Sequence, residues 1–289
     1  MISFGVRYLV LSDVHGNAVA LDAVLRDARK RGFDATVFLG DAVGYYPAPE
    51  EVVTTLRELN PVARLLGNHD AQLLSVVDGT SGPGGMGGGA IVGPVLERQA
   101  KGVSTSALDW LRSLEAHHVE DGFEAVHGGL VRPWQYLHGL AEAEENLPYL
   151  SRPVCLVGHT HVPRVLAAAT APDGHKLWRQ VTFRDEEGTY RMPPRATGFL
   201  NPGSVGQPRD SVPLASYGLY DAERRRFDVI RVAFRPLQNV HPADAAADDQ
   251  SQAAHPEVVE QAALGAGPVA DRHRWEVAPP RFARLGVGR

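Results

Sequence analysis

The sequence predicts an α/β fold, with helices packed on the faces of a sheet and a second, more antiparallel sheet following in the chain. In about the first seventy residues, short apolar runs alternate with segments of helical period, the order β-α-β-α-β. Beyond residue 160, strand-like segments succeed one another across short turns. A third observation joins the fold to chemistry: five apolar runs stop at Asp, Asn or His next to Gly.

The elements follow in order. "YLVLS" (8–12) reads as a buried strand. "NAVALDAVLRDARKRG" (17–32) places Ala20, Leu21, Val24, Leu25 and Ala28 on one helical face, with Asn17 as N-cap, basic residues in the last turn and Gly32 as the stop. "TVFLG" (36–40) is the second strand. "PEEVVTTLRELNP" (49–61) is an amphipathic helix with Pro49 at its start, acidic residues in its first turn and Asn60-Pro61 at its end. "VARLLG" (62–67) is the third strand. Segment 79–94 carries eight glycines in sixteen residues, a loop insertion rather than a helix or core strand. A helix from Ser104 to Glu115, a strand ending in "FEAVHGG" (123–129), a helical patch and the strand-led "PVCLVGHTH" (153–161) come next. The strands "VPRVLAAA", "KLWRQVTF", "TGFLNPGS", "ASYGLYDAE" and "RFDVIRVAF" are assigned to the second sheet. The expected organisation is one domain over 1–238, with 79–94 inserted, and an irregular extension over 239–289.

Composition narrows the class of protein. A 44% hydrophobic and 22% charged chain is of ordinary globular type. A net charge of −5 offers no basic footprint for stable nucleic-acid binding. The single cysteine, Cys155, lies in the apolar run "VCLVG" and reads as a buried thiol; with no disulfide open to the chain and no apolar run of spanning length, a cytoplasmic location is expected.

The five punctuated runs are "SDVHG" (Asp13, His15), "GDAVG" (Asp41), "GNHD" (Asn68, His69, Asp70), "VHGG" (His127) and "GHTH" (His159, His161). Ligands of α/β sheets bind beyond the carboxyl ends of strands, so five such ends are expected to surround one point. Leaving His69 aside, two Asp, one Asn and four His mix oxygen and imidazole donors, a set that suits Mn, Fe, Zn, Co or Ni better than Mg or Ca. Seven donors exceed what one ion with an open position accepts, and suffice for two ions if one carboxylate bridges. Two divalent ions carry about four positive charges against two carboxylates, leaving a surplus of about two for a hydroxide and a phosphoryl group. The inventory points to phosphate ester hydrolysis.

These motifs, in this order, resemble the calcineurin-like metallophosphoesterase superfamily over roughly residues 8–210. The wording of "GDAVGYYPAPEEVV", "GNHDAQLLS", "GHTHVPRV" and "NPGSVGQPRD" is similar to a group of bacterial phosphoesterases. The resemblance implies a four-layer α/β/β/α sandwich of two mixed sheets flanked by helices. It implies that Asp13, His15 and His161 hold one divalent ion, that Asp41 bridges, and that Asn68, His127 and His159 complete the second, with Mn the first choice of metal. A bridging hydroxide would attack phosphorus in line. His69 would protonate the leaving alkoxide or stabilise phosphoryl oxygens as an imidazolium, and Asp70 would accept a hydrogen bond from its other ring nitrogen.

Tyr45, Arg132, His138 and Arg209 are candidates for substrate contact, and Trp134, Gln135 and Tyr46 lie near ligands in the chain. The remaining histidines, among them His117, His118 and His175, read as surface residues. The leading function is hydrolysis of a small-molecule or nucleotide phosphodiester, the partner being a small phosphorylated substrate with self-association left open. The alternatives are a Ser/Thr protein phosphatase, a dinucleoside polyphosphate hydrolase and a non-catalytic metal-binding scaffold. "VHGGL" resembles the phosphatase motif, but those enzymes follow Gly-Asp with a phosphate-gripping Arg within V-D-R-G, where this chain reads "GDAVGYYP".

Overall fold

The computed structural model describes residues 5–80 and 92–235. In chain order the elements are β1 (Arg7–Leu11), α1 (Ala18–Arg31), β2 (Ala35–Phe38), α2 (Pro49–Leu59), β3 (Ala63–Arg64), α3 (Asn68–Val77), α4 (Val92–Ala100), α5 (Thr105–Arg112), β4 (His117–Glu120), β5 (Phe123–Val126) and α6 (Leu140–Asn146). A 3₁₀ turn (Leu147–Tyr149) leads to β6 (Val154–Leu156), β7 (Arg164–Thr170), β8 (Lys176–Thr182), β9 (Glu187–Arg191), β10 (Thr197–Asn201), β11 (Ala215–Asp221) and β12 (Arg226–Val232).

Two six-stranded mixed sheets form, in the orders β3-β2-β1-β11-β12-β9 and β4-β5-β6-β10-β7-β8. Period-two alternation within the strands sets the layers. Leu9 and Leu11 of β1 pack with Leu21, Val24 and Leu25 of α1, whereas Tyr8 and Val10 pack against Phe123, Leu156 and Val165 from the other sheet. β6 divides likewise: Val154 and Leu156 face the first sheet, and Cys155 packs with Ala143 of α6 and Leu147. Helices, sheet, sheet and helices therefore make four layers, as the resemblance implied.

Local chemistry fixes the helix starts. The Asn17 side chain accepts from Ala20 N at 3.1 Å and donates to Gly206 O at 3.0 Å, so the cap of α1 also holds a distant loop. Ser104 caps α5, accepting from Ala107 N at 3.2 Å. Asn60 ends α2 in the left-handed region at φ 46°.

Two expectations are corrected. The strands of the second half do not share one sheet: β9, β11 and β12 join the first, with β11 antiparallel beside β1. The reason lies in β11, where Tyr217 and Leu219 face α1 and Tyr220 faces the second sheet. A strand apolar on both faces needs a central place. Helix α4 was also not foreseen. It begins within 79–94, and Pro94 falls in its first turn, where a missing N–H costs no helical bond. Residues 81–91 and the proposed extension over 239–289 lie outside the described residues.

Candidate metal centre

The connections after β1, β2 and β3 in the first sheet, and after β5 and β6 in the second, bring all five motifs together. Asp13, His15, Asp41, His159 and His161 adopt left-handed backbone conformations, with φ of 55°, 54°, 60°, 67° and 59°. Such conformations are uncommon outside Gly, and their concentration here marks a site whose side-chain directions the fold over-determines. Neighbouring glycines admit the approach. A Cβ on Gly67 would lie 2.0 Å from Asp41 Oδ1, and one on Gly158 would lie 2.0 Å from Ser12 Oγ.

Ligand atoms of Asp13, His15, Asp41 and His161 lie within 4.8 Å of one another, as do those of Asp41, His127 and His159; Asp41 belongs to both groups. Asn68 Oδ1 joins the second group, 3.2 Å from His127 Nε2. The ring of His15 faces Val43 O through Nδ1 at 3.1 Å, and that of His161 faces Gln207 O through Nδ1 at 2.5 Å. A nitrogen facing a carbonyl oxygen carries the proton, so each Nε2 is left as a lone pair. Those two Nε2 atoms stand 3.0 Å apart, an arrangement that asks for a cation between them. Asp13 Oδ1 and Asp41 Oδ2 are buried without a hydrogen-bond partner, and they reach 3.2 Å from His161 Nε2 and 3.3 Å from His127 Nε2. Their other oxygens are occupied: Asp13 Oδ2 by Ser12 Oγ and His159 N, Asp41 Oδ1 by His69 N. One bare oxygen per carboxylate, with converging imidazole lone pairs, fits two divalent ions sharing Asp41.

Charge follows the same division. Burial would raise Asp13 and Asp41, but His161 beside the first and His127 and His69 beside the second hold both below the usual carboxylate range. Burial depresses His15, with His69 adding to it; it depresses His161 together with Arg209, and takes His159 to about 3. Neutral imidazoles are what a metal needs. His127 is the exception: burial works against its charge, but Asp41 outweighs it and pushes its pKa up to about 9. Its Nδ1 lies 2.7 Å from Leu39 O and its Nε2 near Asn68 and Asp41 oxygens, the surroundings of an imidazolium.

The expected roles of His69 and Asp70 change. Asp70 does not orient His69. Its Oδ1 accepts from Ala42 N and Val43 N, and its Oδ2 from Asp41 N and Gly67 N. Burial and Asp41 push Asp70 up to about 7, against four amide donors that favour the anion. It fixes the loop that carries Asp41. His69 Nδ1 is buried and unpartnered, and burial, with the nearby His161 and Arg209, brings the ring's pKa down to about 4. That environment favours the neutral ring over the imidazolium, with Asp41 alone among its named neighbours pulling the other way.

Four side chains were expected to touch substrate, and the structure separates them. Tyr45 packs against His15 and His69, ring centroids 4.9 and 5.0 Å away, and its hydroxyl accepts from Arg209 Nη2 at 3.1 Å. Arg209 is exposed as a residue, its guanidinium held beside Tyr45. Arg132 instead forms a two-pronged pair with Glu145 at 2.9 and 3.0 Å, because α6 presents that carboxylate to it. His138 stacks on Tyr136 at 5.1 Å, with Tyr136 between it and the ligand set. Gln135 turns to Glu145 and Asn146.

Two residues were missed. Tyr136 stacks on His159 with centroids 3.8 Å apart, and the run "RPWQYLHG" had pointed only to its neighbours. Gln99 of α4 accepts from Gly44 N at 3.0 Å and donates to Gly44 O and to Tyr46 O. No motif surrounds Gln99.

A family model described as the calcineurin-like phosphoesterase superfamily domain matches residues 6–225. An uncharacterised protein of Methanocaldococcus jannaschii is 31% identical over 232 residues, 78% of this chain and 86% of that protein. A symmetrical bis(5'-nucleosyl)-tetraphosphatase of Nitrosomonas europaea is 36% identical over 119 residues, spanning 39% of this chain and 42% of that enzyme. The crystal structure of a metallophosphoesterase from Sphaerobacter thermophilus superposes with a TM-score of 0.65 at 33% identity, covering 79% of this chain and 89% of that one. A hypothetical protein of Pyrococcus horikoshii OT3 shares the fold, with a TM-score of 0.59 at 21% identity over 80% of this chain and 89% of that one.

Proposed function

The chain belongs to the calcineurin-like phosphoesterase superfamily, and on that footing we propose that it hydrolyses a phosphodiester of a small molecule or nucleotide, with manganese the first metal to test. The observation that carries this reading is Asp41, common to two groups of inward-facing donors and presenting one bare oxygen to both. Two divalent cations, when bound, supply the charge that ionises water near neutral pH and stabilises phosphoryl oxygens. Asp13, His15 and His161 would hold one, Asn68, His127 and His159 the other, with Asp41 common to both groups. Ser12 and the Asp70 carboxylate keep Asp13 and Asp41 aimed. His69, neutral, donates a hydrogen bond to a phosphoryl oxygen rather than a proton to the leaving group. The rings of Tyr45 and Tyr136 flank the ligand set and offer apolar walls to the second ester group that a diester has and a monoester lacks.

A second reading, symmetrical dinucleoside tetraphosphate hydrolysis, is favoured by the 36% identity to such an enzyme over 119 residues. Against it stands Tyr45, in the loop where the phosphatase motif carries an arginine.

Manganese-loaded protein should be given bis-p-nitrophenyl phosphate, p-nitrophenyl phosphate, 2′,3′-cyclic AMP, a phosphopeptide and diadenosine tetraphosphate. Diesters should turn over fastest. Turnover of monoester or phosphopeptide alone overturns the diester reading, preference for the tetraphosphate establishes the second reading, and no turnover with two ions bound makes the protein a scaffold. On this panel His69→Ala should lose similar activity, roughly 10²-fold or more, on alkyl and p-nitrophenyl esters. A loss confined to alkyl esters would restore His69 as the leaving-group acid.

A further inference from the structure

We propose that Arg209 grips the transferred phosphoryl group, supplying from the loop after β10 the guanidinium that this chain lacks after Gly40-Asp41. The inference rests on the phosphoesterase reading above and names the recognition element of that site. Four observations converge on Arg209.

Among the described residues no carboxylate forms a contact ion pair with Arg209, whereas Arg132 and Arg231 are both paired with carboxylates; Asp13 of the donor set acts on it only from a distance. Its contacts are neutral. Nη2 donates to Tyr45 Oη at 3.1 Å and to Gln207 Oε1 at 3.0 Å, the guanidinium lies 5.8 Å from the Tyr45 ring centre, and the Tyr136 hydroxyl is also hydrogen-bonded to it. These tyrosines border the two donor groups, Tyr45 on His15 and Tyr136 on His159, so the guanidinium spans the mouth between them. The loop is also fixed at both ends. Gln207 O takes the Nδ1 proton of His161, and Asp210 is tied to the buried Arg231, whose Nη2 also donates to Phe183 O at 2.8 Å.

A guanidinium held by neutral acceptors, with planar N–H edges that can fork to an anion, is suited to a monoanionic phosphodiester. Tyr45 and Tyr136 are positioning residues: they hold the fork without neutralising it, and the arriving anion replaces one hydroxyl as acceptor.

The test uses manganese-loaded full-length protein with inorganic phosphate as the probe, read by calorimetry, with bound metal counted in parallel. Arg209→Gln should weaken phosphate binding by about 10- to 100-fold, the range for a charge-assisted hydrogen-bonded pair. Arg209→Lys, keeping charge without the fork, should fall between. Both should keep the wild-type complement of two ions. Equal phosphate affinity in Arg209→Gln and wild type overturns the proposal. So does loss of an ion from either variant, which would make Arg209 a support of the His161 loop instead. Failure of the reaction itself would be seen separately, as wild-type protein that binds phosphate and cleaves none of the esters.

Discussion

The proton on His127 occupies, in the metal-free protein, the space where a cation belongs. Asp41 raises that pKa to about 9, so at pH 7 to 8 the ring is charged and must deprotonate before its Nε2 can ligate. Metal affinity should rise with pH until about 9, and loading near pH 7.5 should release close to one proton more from wild type than from His127→Asn, measured by titration calorimetry in buffers of different ionisation enthalpy; equal release from the two would remove His127 from the ligand set. Residues of this kind were legible in the sequence because each stands beside a strand end and a glycine in the same short run, as in "SDVHG" and "GHTH". The work of Asp70 was not. Three of its four amide donors, from Asp41, Ala42 and Val43, lie 29, 28 and 27 residues away and are brought to it only by folding. The charge state of His69 was hidden for the same reason, since burial sets it.

Among the elements, α4 has the most to do with a site that it never enters. Through Gln99 it ties the turn that carries Tyr45, and the same turn presents Val43 O to His15. Gln99→Leu leaves a buried amide and two carbonyls unpaired and should cost about 1–3 kcal/mol in urea unfolding while raising KM. Gln99→Glu keeps an acceptor for Gly44 N–H but loses both donated bonds, so it should be equally unstable at neutral pH. Unchanged KM in both variants would confine α4 to a packing role. The first strands and helices could be read from the sequence, because their periods are clean and Asn17, Gly32 and Pro49 mark their ends. α4 could not, since glycines precede it and its decisive side chain is an uncharged amide with no partner nearby in the chain.

At the level of the whole molecule, the donors divide between the sheets: Asp13, Asp41 and Asn68 follow strands of the first, and His127, His159 and His161 follow strands of the second. Bound ions would therefore cross-link two layers otherwise joined by an apolar interface of Tyr8, Val10, Phe123, Leu156 and Phe227. Loading at about a hundred times the dissociation constant adds about 2.7 kcal/mol. A chelator should then lower Tm by roughly 5–10 °C for a domain of this size, read by circular dichroism; an unchanged Tm would mean that the ions do not bind across the layers. That there are two sheets was legible, but their membership was not, because the place of β11 depends on which faces its neighbours cover. Its place has a consequence for biosynthesis. Leu9 of β1 pairs with Leu219 of β11, some two hundred residues further along the chain. The first sheet stays open beside β1 until β11 is made, although all seven donors, Asp13 to His161, precede that strand in the chain.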